Sequence, residues 1–273
     1  MPKYTELLFL AYKAAQKASK AILKIYDSAF DVQIKADQSP LTMADLQSNT
    51  IINQVLLKAG YPILSEENKE VSYDVRSNWD TFWMVDPLDG TKEFIYRNGD
   101  FSIHIALVNN GFPVIGLLYI PVTNSIYFAI QGLGSYFIET DNKLINTYDE
   151  LIKYAQAIKY IAPSSNRVRV GTSRSHLSQP TLDFIESFAK LGAQCEMIPS
   201  GSAQKFGLFA HGKLDIYPRL APTMEWDTAA GQIIAEEAGG EVITWPNRKR
   251  LSYNKLSLTN PHFIVQPIGF LYL

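Results

Sequence analysis

Trp83-Met84-Val85-Asp86-Pro87-Leu88-Asp89-Gly90-Thr91-Lys92-Glu93-Phe94 is the stretch that decides how the rest of this chain is read. Its apolar run predicts a strand that ends at Asp86, with Pro87 turning the chain. Two carboxylates three residues apart can then converge, and Gly90 lets the backbone come close to a ligand. Carboxylates joined by a turn carbonyl such as that of Leu88 are hard oxygen donors of the kind Mg²⁺ prefers. If a helix starts at Gly90-Thr91, its N–H groups and positive dipole end point at an anion in the same place. The bland alternative is that Asp86 and Asp89 cap a turn and a helix, as Asp often does.

Three other places join the two readings to the rest of the chain. Ser65-Glu66-Glu67 follows the short apolar run Pro62-Ile63-Leu64, so a pair of acids again sits at a strand end. Leu41-Thr42-Met43-Ala44-Asp45 puts a Thr and an Asp at a helix start, and Glu225-Trp226-Asp227-Thr228-Ala229-Ala230 puts an acid at a predicted helix N-cap. Glu236-Glu237 repeats the acidic pair inside a helix, where a solvated location with no function is expected. The four histidines lack metal-ligand spacing, and His104 falls on the polar side of the alternation Phe101, Ile103, Ile105, Leu107, which reads as structural. The glycine-rich triphosphate and dinucleotide signatures and the G-x-S-x-G serine-hydrolase signature are absent.

Working outward, Leu8, Ala11, Ala15, Ala18, Ile22 and Ile25 recur at helical spacing and predict an amphipathic first helix over 5–26. Val32 to Lys35 alternates like a strand, Asp37-Gln38-Ser39-Pro40 reads as a turn, and a second helix is expected from Met43 to Ala59, stopped by Gly60 and Pro62. Ile63-Leu64, Thr81 to Val85, Phe101 to Val108, Val114 to Ile120 and Ser125 to Ile130 predict a mostly antiparallel sheet. Beyond Asp149 the pattern alternates: a strand ending at Arg169 to Thr172, a helix over 179–191, a strand at Asp215 to Tyr217, and a helix from Thr228 to Ala238 closed by Gly239-Gly240. The expected fold class is therefore α/β (α+β), with halves 1–150 and 151–273 sharing one rigid interface.

The 273 residues carry 25 Lys+Arg against 27 Asp+Glu, a net charge of −2, with 47% hydrophobic and 19% charged residues. That composition is globular and lacks the basic excess that draws a protein to nucleic-acid phosphates, so no nucleic acid polymer is expected as partner. The lone Cys195 excludes an internal disulfide and fits a reducing, cytoplasmic compartment. The N-terminal stretch is broken by Lys13, Lys17 and Lys20 and reads as neither signal peptide nor transmembrane segment.

Taken in order, Thr42-x-x-Asp45, Ser65-Glu66-Glu67, Asp86-Pro-Leu-Asp-Gly-Thr91 and Trp226-Asp227-Thr-Ala-Ala-Gly231 resemble the lithium-sensitive, magnesium-dependent phosphatase superfamily of inositol monophosphatase and fructose bisphosphatase. The motifs span nearly the whole chain. Residues 89–101, with Lys92-Glu93 after the Gly-Thr, look most like the 3′(2′),5′-bisphosphate nucleotidases. So do Ser173-Arg174-Ser175-His176, Gly201-Ser202-Ala203-Gln204-Lys205, where Ala203-Gln204 stands for the more usual Ser-Leu, and Tyr217-Pro218-Arg219.

The resemblance implies a layered αβαβα sandwich and a hydrolase that converts adenosine 3′,5′-bisphosphate to AMP and phosphate, in nucleotide and sulfur-assimilation metabolism. It makes Glu66, Asp86, Asp89 and Asp227 side-chain ligands, and the Leu88 carbonyl a further ligand, of two or three Mg²⁺ ions. Asp45 would take the outermost metal position, and Thr91, helped by Glu66 or Asp45, would orient the attacking water, with Glu67 a further acid of the catalytic set. Gly90 and Thr91 would receive the scissile phosphate; Ser173, His176, Gly201 and Lys205 would hold the nucleotide; Lys92, Arg174 and Arg219 would be weaker anion contacts. Peripheral association with the bacterial inner membrane is implied by the resemblance alone. Two rival readings stand beside it: an inositol or sugar monophosphatase with the same metal core, and a non-catalytic nucleotide or phosphate sensor. The oligomeric state is undetermined from sequence.

Overall fold

A computed structural model of the chain describes residues 3–35, 40–141, 143–162, 167–174, 177–190, 192–202 and 204–270. It begins with α1 (Tyr4–Tyr26), the hairpin strands β1 (Val32–Ile34) and β2 (Pro40–Thr42), and α2 (Met43–Leu56). Next come β3 (Ile63–Ser65), α3 (Tyr73–Arg76), β4 (Thr81–Asp89) and α4 (Thr91–Ile95). The strands β5 (Ser102–Asn109), β6 (Phe112–Ile120), β7 (Ser125–Ile130) and β8 (Gly134–Glu139) follow, then α5 (Tyr148–Tyr154) and β9 (Gln156–Ile158). The remainder holds β10 (Arg167–Ser173), α6 (Gln179–Lys190), β11 (Gln194–Ser200), α7 (Gln204–Ala210), β12 (Tyr217–Arg219), α8 (Ala229–Glu237), β13 (Gly240–Thr244) and β14 (Phe263–Pro267).

The sequence-predicted helical stripe of α1 is the buried one, with Leu8, Ala11, Ala15, Ala18 and Ile22 at 0% exposure. Each such Leu or Ile contributes roughly 1.5–3 kcal/mol of transfer free energy. The stripe packs with α2 and α5 on one face of a seven-stranded sheet ordered β3-β4-β5-β6-β7-β8-β9. The β3/β4 pair is parallel and the rest antiparallel, as the meander of apolar runs implied. On the other face lie α7 and α8, and beyond them a second strand layer in which β14 pairs with β12 and β13. In that layer β10 and β11 run parallel, and a bridge at Val170 and Ile216 connects β10 towards β12. Finally α6 covers the far side through Phe184, Ile185 and Phe188. The layers are thus α, β, α, β, α.

Parity explains both faces of the large sheet. Trp83 and Val85 of β4 join the α1/α2 core with Ile103, Ile105 and Leu107 of β5, whereas Phe82 and Met84 join Ala106 and Val108 on the α8 side. Contact with α8 is close at Gly116, where an added Cβ would lie 2.3 Å from the Ala230 carbonyl oxygen. This close approach seats the start of α8, and with it Asp227, against β4 and β5.

Several expectations need correction. The strand predicted to end at Asp86 continues to Asp89 through a register shift against β5. The acid at Asp227 does not N-cap α8: it lies in a 3₁₀ turn over Glu225–Asp227, and Thr228 is the cap residue. Helix α2 stops at Leu56 and finishes as a 3₁₀ turn over Leu57–Ala59. Asp215 precedes β12, where it pairs with Arg169 at 2.7 Å instead of opening the strand. Glu236 and Glu237 are engaged: Glu237 accepts from the Gly132 and Gly134 N–H groups at 2.9 and 3.0 Å, and Glu236 pairs with Arg250 at 2.7 Å. The strands β2, β8, β9, β11, β13 and β14 went unread. The predicted turn at Asp37 to Ser39 lies outside the described residues.

Candidate active site

The register shift in β4 builds the site. In a regular strand, residues 86 and 89 would face opposite sides, because side chains alternate with period two. Here Asp86 pairs with His104 and Asp89 with Ser102, so three steps on β4 oppose two on β5. This is the geometry of a β-bulge, and it turns both carboxylates to the α8 side of the sheet. Pro87 suits the interruption because it has no N–H to place in a ladder, and its carbonyl accepts from Ser48 Oγ of α2 at 2.6 Å. Gly90 then takes φ +89°, a left-handed conformation that favours glycine, and α4 begins at Thr91 as the sequence predicted.

Asp227 comes from the 3₁₀ turn before α8 and completes a triad. One carboxylate oxygen each from Asp86, Asp89 and Asp227 lies within 4.8 Å of the others. Burial, then the charges of Glu66, Asp89 and Asp227, pushes the Asp86 carboxyl well above its usual range. Asp227 is raised likewise, first by burial and then by Asp89. The donors are all oxygen, and none is a histidine or a thiolate. A hard divalent cation fits this set and would relieve the repulsion that lifts both acids.

Glu66 and Glu67 stand beside the triad under a cation that sequence reasoning missed. Lys35 Nζ, just after β1, lies 2.8 Å from Glu66 Oε1 and also contacts Glu67. Burial alone would lower the Lys35 ammonium, but the two carboxylates raise it above its usual range. Burial raises both acids, with Lys35 opposing the rise. A strand-end lysine 31 residues from its partner leaves no local signal in the sequence.

Asp45 serves its helix and the site with different oxygens. Its Oδ2 accepts from the Thr42 N–H at 2.7 Å and the Thr42 hydroxyl at 2.6 Å, closing a capping box. Its Oδ1 accepts from the Thr91 hydroxyl at 3.1 Å. The same carboxylate thus closes the cap of α2 and holds the Thr91 hydroxyl. Burial raises the Asp45 carboxyl, against the lowering effect of the Thr42 and Thr91 hydrogen bonds.

The acids of the triad line a cavity of about 550 Å³. Glu66, Asp86, Leu88, Asp89, Gly90, Thr91 and Asp227 line it together with Lys35, Lys92, Glu93, Ser173, Gly201, Lys205 and Arg219. Lys205 is buried and donates to the Ser200 and Ser202 carbonyls at 2.9 and 2.6 Å. Burial pushes its ammonium down to about 8, although Asp89 opposes the shift. Asp45, Glu67 and Arg174 do not line the cavity; Arg174 instead pairs with Asp100 at 2.8 Å, and Asp100 also accepts from the Gly201 N–H at 3.1 Å. His176 lies outside the described residues, as does Ala203.

Two further residues went unassigned from sequence. Ser202 donates to Asp89 Oδ2, and the His104 Nε2 sits 3.3 Å from the same oxygen. His104 was read as structural, but its polar parity on β5 was the available signal, since it shares a face with Asp86. Burial lowers the His104 imidazole, with Asp89 opposing.

Residues 3–267 match the sequence profile of the inositol monophosphatase family. Over 256 residues the chain is 39% identical to the 3′(2′),5′-bisphosphate nucleotidase CysQ of Shigella flexneri, covering 92% of this chain and 96% of that one. Among solved structures, CysQ from Bacteroides thetaiotaomicron, a bacterial member of the same family, superposes with a TM-score of 0.88 at 43% identity, covering 97% of this chain and 98% of the other. An inositol monophosphatase from Zymomonas mobilis gives a TM-score of 0.75 at 22% identity over 100% of this chain and 96% of its own, a likeness of fold.

Proposed function

This chain belongs to the inositol monophosphatase family, and on that premise we propose that it is a metal-dependent 3′(2′),5′-bisphosphate nucleotidase that hydrolyses adenosine 3′,5′-bisphosphate to AMP and phosphate. The observation that carries this reading is that one cavity is lined both by the acids Asp86, Asp89 and Asp227 and by the cations Lys92, Lys205 and Arg219. A substrate with two phosphates has a use for both. The nucleotidase relatives support the same choice over a monophosphatase.

Mg²⁺ is the cation whose oxygen preference suits Asp86, Asp89, Asp227, Glu66 and the Leu88 carbonyl, in two or three positions, with Asp45 near the outermost. When bound, such cations neutralise phosphate oxygens and acidify water for attack. The chain's own residues do the rest. The Thr91 hydroxyl reaches Asp45 Oδ1 at 3.1 Å and the Leu88 carbonyl at 3.4 Å; with its hydrogen on the nearer Asp45, its oxygen would accept from a water and aim it at the scissile ester. Asp45 holds that rotor, and Glu66, which lines the cavity, would take up the proton, with Glu67 behind it sharing Lys35. The Gly90 and Thr91 N–H groups would receive the scissile phosphate. Ser173, Gly201, Lys205 and, beyond the described residues, His176 would hold the nucleotide, with Lys92, Arg174 and Arg219 adding charge.

By the same reading, residues 1–150 carry most of the metal site and 151–273 complete it and bind nucleotide. Among the described residues no helix is long and apolar enough to cross a membrane. A cytoplasmic location and a small-molecule partner, with no nucleic acid polymer, complete the proposal. Its test is phosphate release from adenosine 3′,5′-bisphosphate, inositol monophosphate and sugar phosphates, with and without Mg²⁺. Release from the nucleotide that depends on Mg²⁺ and exceeds the others supports it; equal or faster turnover of inositol monophosphate overturns it.

A further inference from the structure

His104 is buried on β5 with its side chain 1% exposed, and its Nε2 lies 2.8 Å from Ser102 Oγ and 3.3 Å from Asp89 Oδ2. Ser102 Oγ lies 2.5 Å from Ser202 Oγ, and the Ser202 hydroxyl bonds Asp89 Oδ2. Hydroxyls could point either way in such a chain, but an ionised carboxylate only accepts. Ser202 therefore gives its single hydrogen to Asp89. Ser102 must then donate to Ser202, and the remaining donor for Ser102 is the His104 Nε2–H. His104 Nδ1 is buried with no hydrogen-bond partner among the described residues, so the ring meets the chain through Nε2. Ser202 holds φ +50°, an uncommon conformation for a residue with a side chain, consistent with a hydroxyl fixed in place from both sides.

We infer that His104 is a positioning residue for Asp89: through Ser102 and Ser202 it sets the direction of every hydrogen in a chain that ends on Asp89 Oδ2, and so fixes that carboxylate for its cation. The inference rests on the reading of Asp89 as a metal ligand. A histidine that merely filled the core would be replaceable by an apolar ring of similar size. A positioning histidine is replaceable only by a side chain that donates from the same place. Hydrogen-bonded partners of metal ligands commonly change metal affinity by about 10–100-fold when removed.

The test is Mn²⁺ binding to the metal-stripped full chain, read from the electron paramagnetic resonance of free Mn²⁺, alongside metal-free thermal melting. His104→Phe is expected to weaken Mn²⁺ about tenfold or more while melting at or above the wild-type temperature. His104→Gln, whose amide nitrogen can donate to Ser102, is expected to stay within about threefold of wild type. Equal affinity in His104→Phe and wild type overturns the inference, as does equal weakening in His104→Phe and His104→Gln. If His104→Phe does not fold, Ser102→Ala decides: weakened Mn²⁺ binding supports the chain, and unchanged binding overturns it. Asp227→Asn is the control for the site itself. Wild type that binds no Mn²⁺, or binds as well without Asp227, removes the metal reading and this inference with it, whereas failure at His104 alone leaves the metal reading standing.

Discussion

Asp86→Asn should make the metal-free protein more stable and the Mg²⁺-loaded protein less so. Asp86, Asp89 and Asp227 present oxygens within 4.8 Å of one another. Two unit charges at that separation repel by about 3.5 kcal/mol at an effective dielectric constant of about 20. Proton uptake relieves part of this, because burial and the neighbouring acids already hold the Asp86 carboxyl well above its ordinary value. Asparagine keeps the oxygen that accepts from the Leu88 N–H at 3.0 Å, so the bulge loses no hydrogen bond. The net gain is expected near 2 kcal/mol at neutral pH, a rise of about 4–8 °C in Tm by the usual scaling for domains of this order of size. In saturating Mg²⁺ the order reverses, since wild type gains about 2.7 kcal/mol at a hundred times Kd and the variant gains little.

The pH dependence has a definite sign. An acid whose folded pKa is raised binds its proton more tightly in the folded state. Metal-free wild type therefore loses stability as pH rises from the ordinary Asp value of 3.8 through the raised one, and Asp86→Asn flattens that fall. Urea unfolding in EDTA and in Mg²⁺, at several pH values, reads all of this. A variant that is destabilised in EDTA at neutral pH, or that keeps its rank in Mg²⁺, refutes the account of the triad as stored repulsion.

Lys205→Met should lower kcat/KM roughly 10–100-fold at pH 7, the scale of one lost charge-assisted contact. In wild type, kcat/KM should fall above about pH 8 as Lys205 loses its proton, and an alkaline limb that persists in Lys205→Met would count against this assignment. Thr91→Val should cost about 10²–10⁴ in kcat with KM within about threefold, because the hydroxyl held by Asp45 acts on the attacking water; a loss confined to KM would make Thr91 a binding residue instead. Gly116→Ala should destabilise by about 2–3 kcal/mol, since the new Cβ would press on the Ala230 backbone at 2.3 Å and backbone cannot step aside; urea unfolding showing less than about 1 kcal/mol would mean α8 is free to shift.

What was legible in the sequence was local. Helix α1 declared itself through its stripe, and the large sheet through apolar runs divided by turn residues. The acids of the site stood out because they follow apolar runs or open helices: Asp45 starts α2, Glu66 follows β3, Asp89 ends β4, and Asp86 precedes the proline that breaks its ladder. What was not legible depended on contacts across the chain. The three residues of β9 and the exposed, irregular face of β11 carry too little alternation to announce strands. Lys35 meets Glu66 across 31 residues, and Ser202 meets Asp89 across 113.

The bulge in β4 shows why a correct motif came with an incorrect strand end. A pair of acids two residues apart would put both carboxylates on one face of an unbroken strand, but every carbonyl between them would remain in the ladder. Spacing them by three, with one residue inserted, puts both on that face and also interrupts the pairing between Asp86 and Asp89. The interruption leaves the Leu88 carbonyl out of the ladder, where the Thr91 hydroxyl reaches it at 3.4 Å. Proline fits the inserted position because it has no N–H to lose, and Ser48 answers its carbonyl from α2. The D-P-x-D spacing is thus the local solution to two demands at once, convergent carboxylates and a carbonyl freed from the ladder. The sequence reads as a strand end because a proline that breaks a ladder looks the same whether the strand stops there or resumes two residues later.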